Sequence, residues 1–362
     1  MPYYGRGEKG VLIIGEAPGE QEDTRNRPFV GKSGQHLRDT LRSFHVDMDR
    51  DCWVTNALIC RPKNNRTPSP KEIDYCRPTV IKTIKDLKPN TIVILGKTPL
   101  RSVIGWIWKK DTGKMFRWVG WHIPCQNLNT WICPTWHPAA MEYEKDIQKR
   151  TLQDRLFTKH LRQAFRHKSR PWETVPDYRK EVNLIYDSDE AGKRIKEFIG
   201  DHPIAFDYET NMLKPDSNEA KILCCSLSDG KDTIAYSWDK TTKIATGELL
   251  KSGTPMMAHN AKFEDRWTRK AFGFGVRNWR WDSMVAAHVL DNRPKITGLK
   301  FQSFVRLGQG SYNDPVQPYM ESGGNNIPNE LHDVPVATLL EYCALDSLLE
   351  YKLAMIQMGE MK

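Results

Sequence analysis

None of the eight cysteines forms a CxxC pair, which argues against a conventional structural zinc module, although the five in the first half can still meet in space. The sequence has no run of about 18 apolar residues and no basic leader with an apolar core, so neither a membrane span nor a secretory signal is expected. With so few cysteines, a reducing compartment is expected. No internal repeat or heptad run occurs, which excludes a solenoid or a coiled coil. What remains is globular: 362 residues, 39% hydrophobic and 27% charged, are too many for one ordinary core and predict two domains.

The net charge of +9 conceals a division. Residues 1–170 hold 31 basic and 17 acidic side chains, whereas residues 171–362 hold 23 and 28. A strongly basic half suits a polyanionic partner, and twelve Trp and twelve Phe offer stacking surfaces; solubility alone is the plainer alternative. Apolar runs at 11–14 and 91–95, each ending at glycine, predict parallel strands of an α/β core with a pocket at their C-terminal ends. A helix is expected over 70–87, a hairpin within 118–133 and a basic helix over 151–167. We read residues 1–170 as one domain, 171–180 as a linker and 181–362 as a second α/β or α+β domain. In that domain strands are expected at 182–186, 204–208, 222–228 and 233–237, and helices over 191–198 and 339–355. Residues 308–329, rich in Gly, Asn and Pro, read as a mobile excursion.

Chemistry first shows in Gly15-Glu16-Ala17-Pro18-Gly19-Glu20-Gln21-Glu22-Asp23 and in Arg27-Pro28-Phe29-Val30-Gly31. Small residues at a strand end admit a ligand closely, Phe29 can stack on a planar group, and Glu22 or Asp23 can position water. With Asn56-Ala57-Leu58-Ile59-Cys60-Arg61-Pro62, Asn65-Arg66-Thr67-Pro68 and His137-Pro138, the set resembles the family 4 uracil-DNA glycosylases over residues 10–165. The resemblance implies an α/β/α domain with a parallel sheet that draws a flipped nucleotide into a tight pocket at Gly15. It implies Phe29 stacked on uracil, the Asn56 amide on its polar edge, and His137 donating to the uracil O2 as charge develops. Glu22, with Asp23 in reserve, is the candidate for placing water; Glu16 shapes the loop, and Ala17 stands where other uracil glycosylases carry an aspartate. Two features depart from the family. Cys60 and Cys76 match two ligands of its [4Fe-4S] cluster, but the usual N-terminal CxxC pair is absent, leaving Cys52, Cys125 or Cys133 as substitutes or no cluster at all. The family's leucines after His-Pro are replaced by Ala139-Ala140-Met141, which puts its DNA-inserting wedge in doubt.

The second half carries Asp207-Tyr208-Glu209 at a strand end, where period two sends both carboxylates to one face, ready for a hard cation. His259-Asn260-Ala261-Lys262-Phe263-Glu264-Asp265, an isolated Asp282, and Tyr342 four residues before Asp346 complete the pattern. In this order the blocks resemble the DEDDy 3′-5′ exonucleases, especially the proofreading domain of family A DNA polymerases, over residues 182–358. The resemblance implies a ribonuclease H-like domain with a mixed sheet and two Mg²⁺ or Mn²⁺ ions about 3.5 to 4 Å apart. Asp207 and Asp346 would bind the first ion, Glu209 would help hold it, and Tyr342 would orient the attacking water. Glu264 stands where the family has Asp, with Asp265 an open alternative ligand. His259 and Asn260 are expected to organise the substrate strand, and Asp282 to support them.

The preferred reading is a hydrolase of DNA replication and repair that proofreads single-stranded or frayed 3′ ends of DNA and carries a glycosylase-like domain. A similar domain order stands at the front of certain phage DNA polymerases. This reading expects cytoplasmic residence, in a bacterial host if phage-encoded, and no membrane partner. The chain would be a split subunit working with a separate polymerase subunit, or a fragment of a polymerase. Two alternatives stay open: an active exonuclease with a non-catalytic DNA-binding or polymerase-docking module in front, and a wholly non-catalytic assembly protein.

Overall fold

The computed structural model describes all residues except 109, 110, 323, 325 and 326, and all side chains of the remainder except those of residues 142 and 143. The chain divides into two compact units, Met1–Val175 with Phe304–Gly310, and Pro176–Ser303 with Ser311–Lys362.

The first unit runs β1 Val11–Gly15, α1 Glu20–Arg25, α2 Lys32–Arg42, α3 Met48–Asp51, β2 Cys52–Asn56, α4 Pro70–Leu87, β3 Thr91–Leu95, α5 Lys97–Trp108, β4 Ile123–Cys125, β5 Thr130–Thr135, α6 Pro138–Tyr143 and α7 Ile147–Ala164. Its sheet has the order β2-β1-β3-β5-β4. All neighbours are parallel except the β4–β5 pair, the expected hairpin. Every residue of VLIIG in β1 and TIVIL in β3 is buried, as both faces of a central parallel strand demand. Helix α4 has the predicted bounds because Ser69 and Glu72 close a capping box at its start and Lys88 takes a left-handed conformation at its end. Residues 304–310 belong with this unit, where Phe304 packs edge-on against Trp118 and tilted against Trp108.

The second unit runs β6 Asn183–Ile185, α8 Ser188–Glu197, β7 Ile204–Thr210, β8 Ile222–Ser228, β9 Thr233–Ser237, α9 Lys240–Ser252, β10 Met256–Ala258, α10 Ala261–Phe272, β11 Trp279–Asp282, α11 Ser283–Leu290, the first part of α12 Leu299–Leu307 up to Ser303, α13 Gln317–Met320 and α14 Val336–Glu360. The sheet order is β11-β10-β7-β8-β9-β6, with β8 antiparallel to both neighbours and the other pairs parallel. Counted from β7, the five strands β7 to β11 lie in the spatial order 5-4-1-2-3 with the second reversed, the ribonuclease H-like arrangement, and β6 extends one edge. Alternation in β7 turns Phe206 and Tyr208 into the core beside Ile195, Leu249 and Trp267. Ala205 packs with Ala354 of α14, on the other face.

Part of the 308–329 excursion is firmly built: Tyr312 is buried, and Asn313 bonds Gln317 at the start of α13. Residues 323, 325 and 326 of that excursion lie outside the described residues. No helix among the described residues is long and apolar enough to cross a membrane.

Trp267 is 1% exposed under the β7–β8 sheet. Trp267→Ala is expected to destabilise this unit by about 3–5 kcal/mol, read as lost hydrogen-exchange protection of β7 and β8 amides.

Candidate functional sites

In the first unit the parallel strands deliver Gly15, Asn56 and Gly96 to one edge of the sheet, with His137 following β5. Gly15 is required there by contact. A Cβ built on it would lie 2.5 Å from Asn56 Oδ1 and 2.6 Å from the Phe29 ring, so the amide and the ring close over a bare backbone. Phe29 is buried with φ of 56°, a left-handed conformation unusual for an aromatic residue.

Glu22 helps to hold that conformation. Its Oε1 accepts from the backbone N–H of Val30 at 3.0 Å and Gly31 at 2.6 Å, and its Oε2 from Gly19 at 3.2 Å. The carboxylate thus clamps the Phe29 loop, a part the motif alone did not show. Asp23 is exposed on α1, and Glu16 accepts from the Thr98 hydroxyl at 2.8 Å, in keeping with a loop-shaping part.

His137 caps α6, its Nδ1 accepting from the Ala139 N–H at 3.2 Å. In the neutral ring the proton then sits on Nε2, the tautomer that can donate to a carbonyl oxygen. Met141 is buried and Ala139 and Ala140 are small, so residues 139–141 present no large apolar wedge.

The cysteines do not assemble a four-thiolate cradle among the described residues. Cys60 is exposed after β2, and Cys76 packs on α4 against Ala57, Leu58 and Ile73. Cys52 opens β2 opposite Val11, and Cys125 pairs with Thr130, both at the end of the sheet away from the Cys60 turn. At about 3.3 Å per residue a five-residue strand separates those ends by more than one cluster can span. A [4Fe-4S] group does not fit these residues.

In the second unit β7 supplies Asp207 and Glu209, α10 supplies Glu264, and α14 supplies Tyr342 and Asp346 one turn apart. Glu209, Glu264 and Asp346 are buried. The sulfur of Cys343 gathers with Asp207 and Glu209, 3.8 Å from Asp207 Oδ2. Burial, then the charge of Asp346, pushes the Asp207 carboxyl up to about 8. Burial and then Asp207 push Glu209 and Glu264 well above the usual range. Glu264 Oε2 is buried with no hydrogen-bond partner. Crowded, desolvated oxygen donors with an orphaned atom suit a hard divalent cation, so Mg²⁺ or Mn²⁺ fits this set.

Asp265 is not among them. It turns outward to Arg269 at 2.7 Å and accepts the Val276 N–H at 2.9 Å, so its expected role as a ligand is withdrawn. Asp282 caps α11 and also accepts the backbone N–H groups of Asn260 and Ala261, fixing the left-handed turn of Asn260. His259 bonds Ser283 at 2.7 Å, and burial, then Lys300, lowers its pKa to about 3.

Two residues escaped the sequence reading. Lys300 of α12 bonds both oxygens of Asp346, with its ammonium 4.4 Å from the Tyr342 ring centre and 4.7 Å from that of Tyr312. Tyr312 donates its hydroxyl to Asp346. A lone lysine opening the apolar helix LKFQSFVRL was the available signal for the first; a buried tyrosine inside a Gly/Asn/Pro-rich stretch gave none.

Residues 2–166 match the uracil DNA glycosylase superfamily. A type-4 uracil-DNA glycosylase of Pyrobaculum aerophilum is 34% identical over 161 residues, 41% of this chain and 79% of that protein. One of Archaeoglobus fulgidus is 31% identical over 163 residues, again 41% and 79%. A DNA polymerase of Bacillus phage SP01 is 23% identical over 359 residues, which take in 90% of this chain but only 38% of the polymerase. Solved structures similar to part of the chain include Escherichia coli RNase D, an exoribonuclease involved in structured RNA processing, with TM-score 0.39, 14% identity, 49% of this chain and 44% of that one. Brucella melitensis NrnC with bound Mg²⁺ has TM-score 0.35, 17% identity, 50% of this chain and 79% of that one. Identity of this level across most of the archaeal enzymes' length establishes that the chain belongs, through its first unit, to the type-4 branch of the uracil DNA glycosylase superfamily.

Proposed function

We propose that the second unit is a metal-dependent 3′-5′ DNA exonuclease of the proofreading kind and that the first unit excises uracil from DNA. The observation that carries the exonuclease reading is the meeting of Asp207, Glu209, Glu264 and Asp346, from three separate elements, beside the Tyr342 ring. Asp207, Glu209 and Asp346 would hold Mg²⁺ or Mn²⁺, with Glu264 completing the set. The bound metal would supply charge stabilisation and activation of water. Tyr342, whose hydroxyl is kept protonated by burial and then by Asp346, would orient the attacking water. Asn260, its backbone set by Asp282, would contact the substrate strand beside His259.

In the first unit Phe29 and Asn56 would sandwich and read the extruded base, and the Nε2 proton of His137 would stabilise charge on its leaving oxygen. Arg155, Lys159 and Arg162 of α7, with Arg166 just beyond it, line a hollow of about 610 Å³ and suit the DNA backbone. A second reading keeps the exonuclease and makes the first unit a DNA-binding module. It draws on the small residues after His137 and on the engagement of Glu22 with three backbone amides.

A denaturing-gel time course on 5′-labelled single-stranded DNA with one internal uracil separates these readings. With Mg²⁺, a ladder is expected that falls more than about 100-fold in Asp207→Ala and Asp346→Ala. Asp265→Asn is expected to stay within about threefold of the parent chain, whereas Glu264→Gln falls with the ligands; equal loss in both would defeat the proposed ligand set. Without Mg²⁺, alkali-dependent scission at uracil is expected, reduced about 100- to 1,000-fold in Asn56→Ala and His137→Ala. Gly15→Ala should abolish it by displacing both Asn56 and Phe29. A ladder with no scission at uracil would establish the binding-module reading.

A further inference from the structure

The first unit holds a cluster of donors that uracil chemistry does not use. His122 immediately precedes β4 and, through the Ile123–Ile132 register, stands opposite Cys133 in the middle of β5. His167 lies just beyond α7 and approaches the same point. His122 Nδ1 is 2.7 Å from His167 Nε2 and 3.7 Å from Cys133 Sγ, and the three ligand atoms all lie within 4.8 Å of one another. The Trp131 ring stacks on His167 at 4.1 Å between centroids and 12° between planes, which fixes the direction of its nitrogen.

Two imidazoles and a thiol form a borderline-soft donor set, matched to zinc and poorly matched to Mg²⁺ or Ca²⁺. Burial lowers the pKa of His122, and burial with the His122 neighbour lowers that of His167 to about 4, so both rings stay neutral with lone pairs to offer. Cys133 is buried among apolar side chains, where burial pushes its thiol pKa up, and a cation at the cluster would favour its thiolate. Both histidines are partly exposed, which leaves a path for an ion.

We infer that His122, Cys133 and His167 bind one zinc ion through Nδ1, Sγ and Nε2, tying the end of α7 to the β4–β5 hairpin. Among the described residues no fourth His, Cys, Asp or Glu joins the group, so water completes the tetrahedron. Binding releases one proton, that of the Cys133 thiol, to solvent as the sulfur–zinc bond forms; the imidazole protons shift to the outer nitrogens without leaving the rings. The site differs from an iron–sulfur cluster in both place and donors, since Cys60 and Cys76 take no part.

The test titrates the full chain with Co²⁺, then Zn²⁺, in excess Mg²⁺ that keeps the carboxylate site of the second unit occupied. One equivalent of cobalt is expected to give a thiolate-to-metal absorption band that zinc abolishes. Cys133→Ser should remove the band. His167→Gln, at a half-exposed position that spares the core, should weaken metal binding at least about 100-fold and remove the zinc-induced rise in Tm seen in the parent chain. Cys60→Ser and Cys343→Ser should keep both signals. No band in the parent chain, an undiminished band in Cys133→Ser, or equal loss in Cys60→Ser or Cys343→Ser would overturn the inference.

Discussion

Asp207 and Glu209 sit on a strand whose alternate residues, Phe206 and Tyr208, are committed to the apolar core. That commitment fixes the register of β7, because a slip of one residue would drive two carboxylates into the core and two aromatics out of it. With the register pinned, α14 lies over the other face and brings Asp346 down onto the same spot. The result is a group of desolvated acids with Lys300 as the cation bonded to Asp346. Burying like charges together is unfavourable unless a counter-charge arrives, so the fold of the second unit builds a demand for a cation into its centre.

Close approach governs the first unit instead. The side chains of Asn56 and Phe29 meet where Gly15 has none, and Glu22 spends its carboxylate on three backbone amides that shape the Phe29 loop. A carboxylate so engaged shapes the loop it sits in. His137 shows the same economy, since the hydrogen bond that caps α6 also selects which ring nitrogen carries the proton. In each case the local structure near a strand end sets the chemical state of the side chain that would meet the base.

The cysteines show how the same residue type diverges by place. Cys52 and Cys125 are strand residues at the far end of the sheet, Cys76 packs as a small apolar side chain, and Cys133 shares its surroundings with two histidines. Composition treats them alike. Among the described residues only Cys133 stands among nitrogen ligands, because a hairpin register and the end of a helix bring His122 and His167 to it from 11 positions before and 34 after.

Apolar runs such as VLIIG and TIVIL, the helix over 70–87 and the period-two carboxylates of β7 were legible from sequence, because each rests on neighbours within a few residues. The motif blocks likewise singled out Gly15, Phe29, Asn56, His137, Asp207 and Asp346 as candidates, because their types and spacing are chemically restrictive. Tertiary structure decided the rest. It chose Glu264 over Asp265, because α10 turns one inward and hands the other to Arg269 and Val276. It put Lys300 and Tyr312 against Asp346 from 46 and 34 residues away, a proximity that no local periodicity encodes. Sequence fixes which side chains are offered and on which face of an element; the packing of elements distant in the chain determines which of them meet, and so which charges must be compensated.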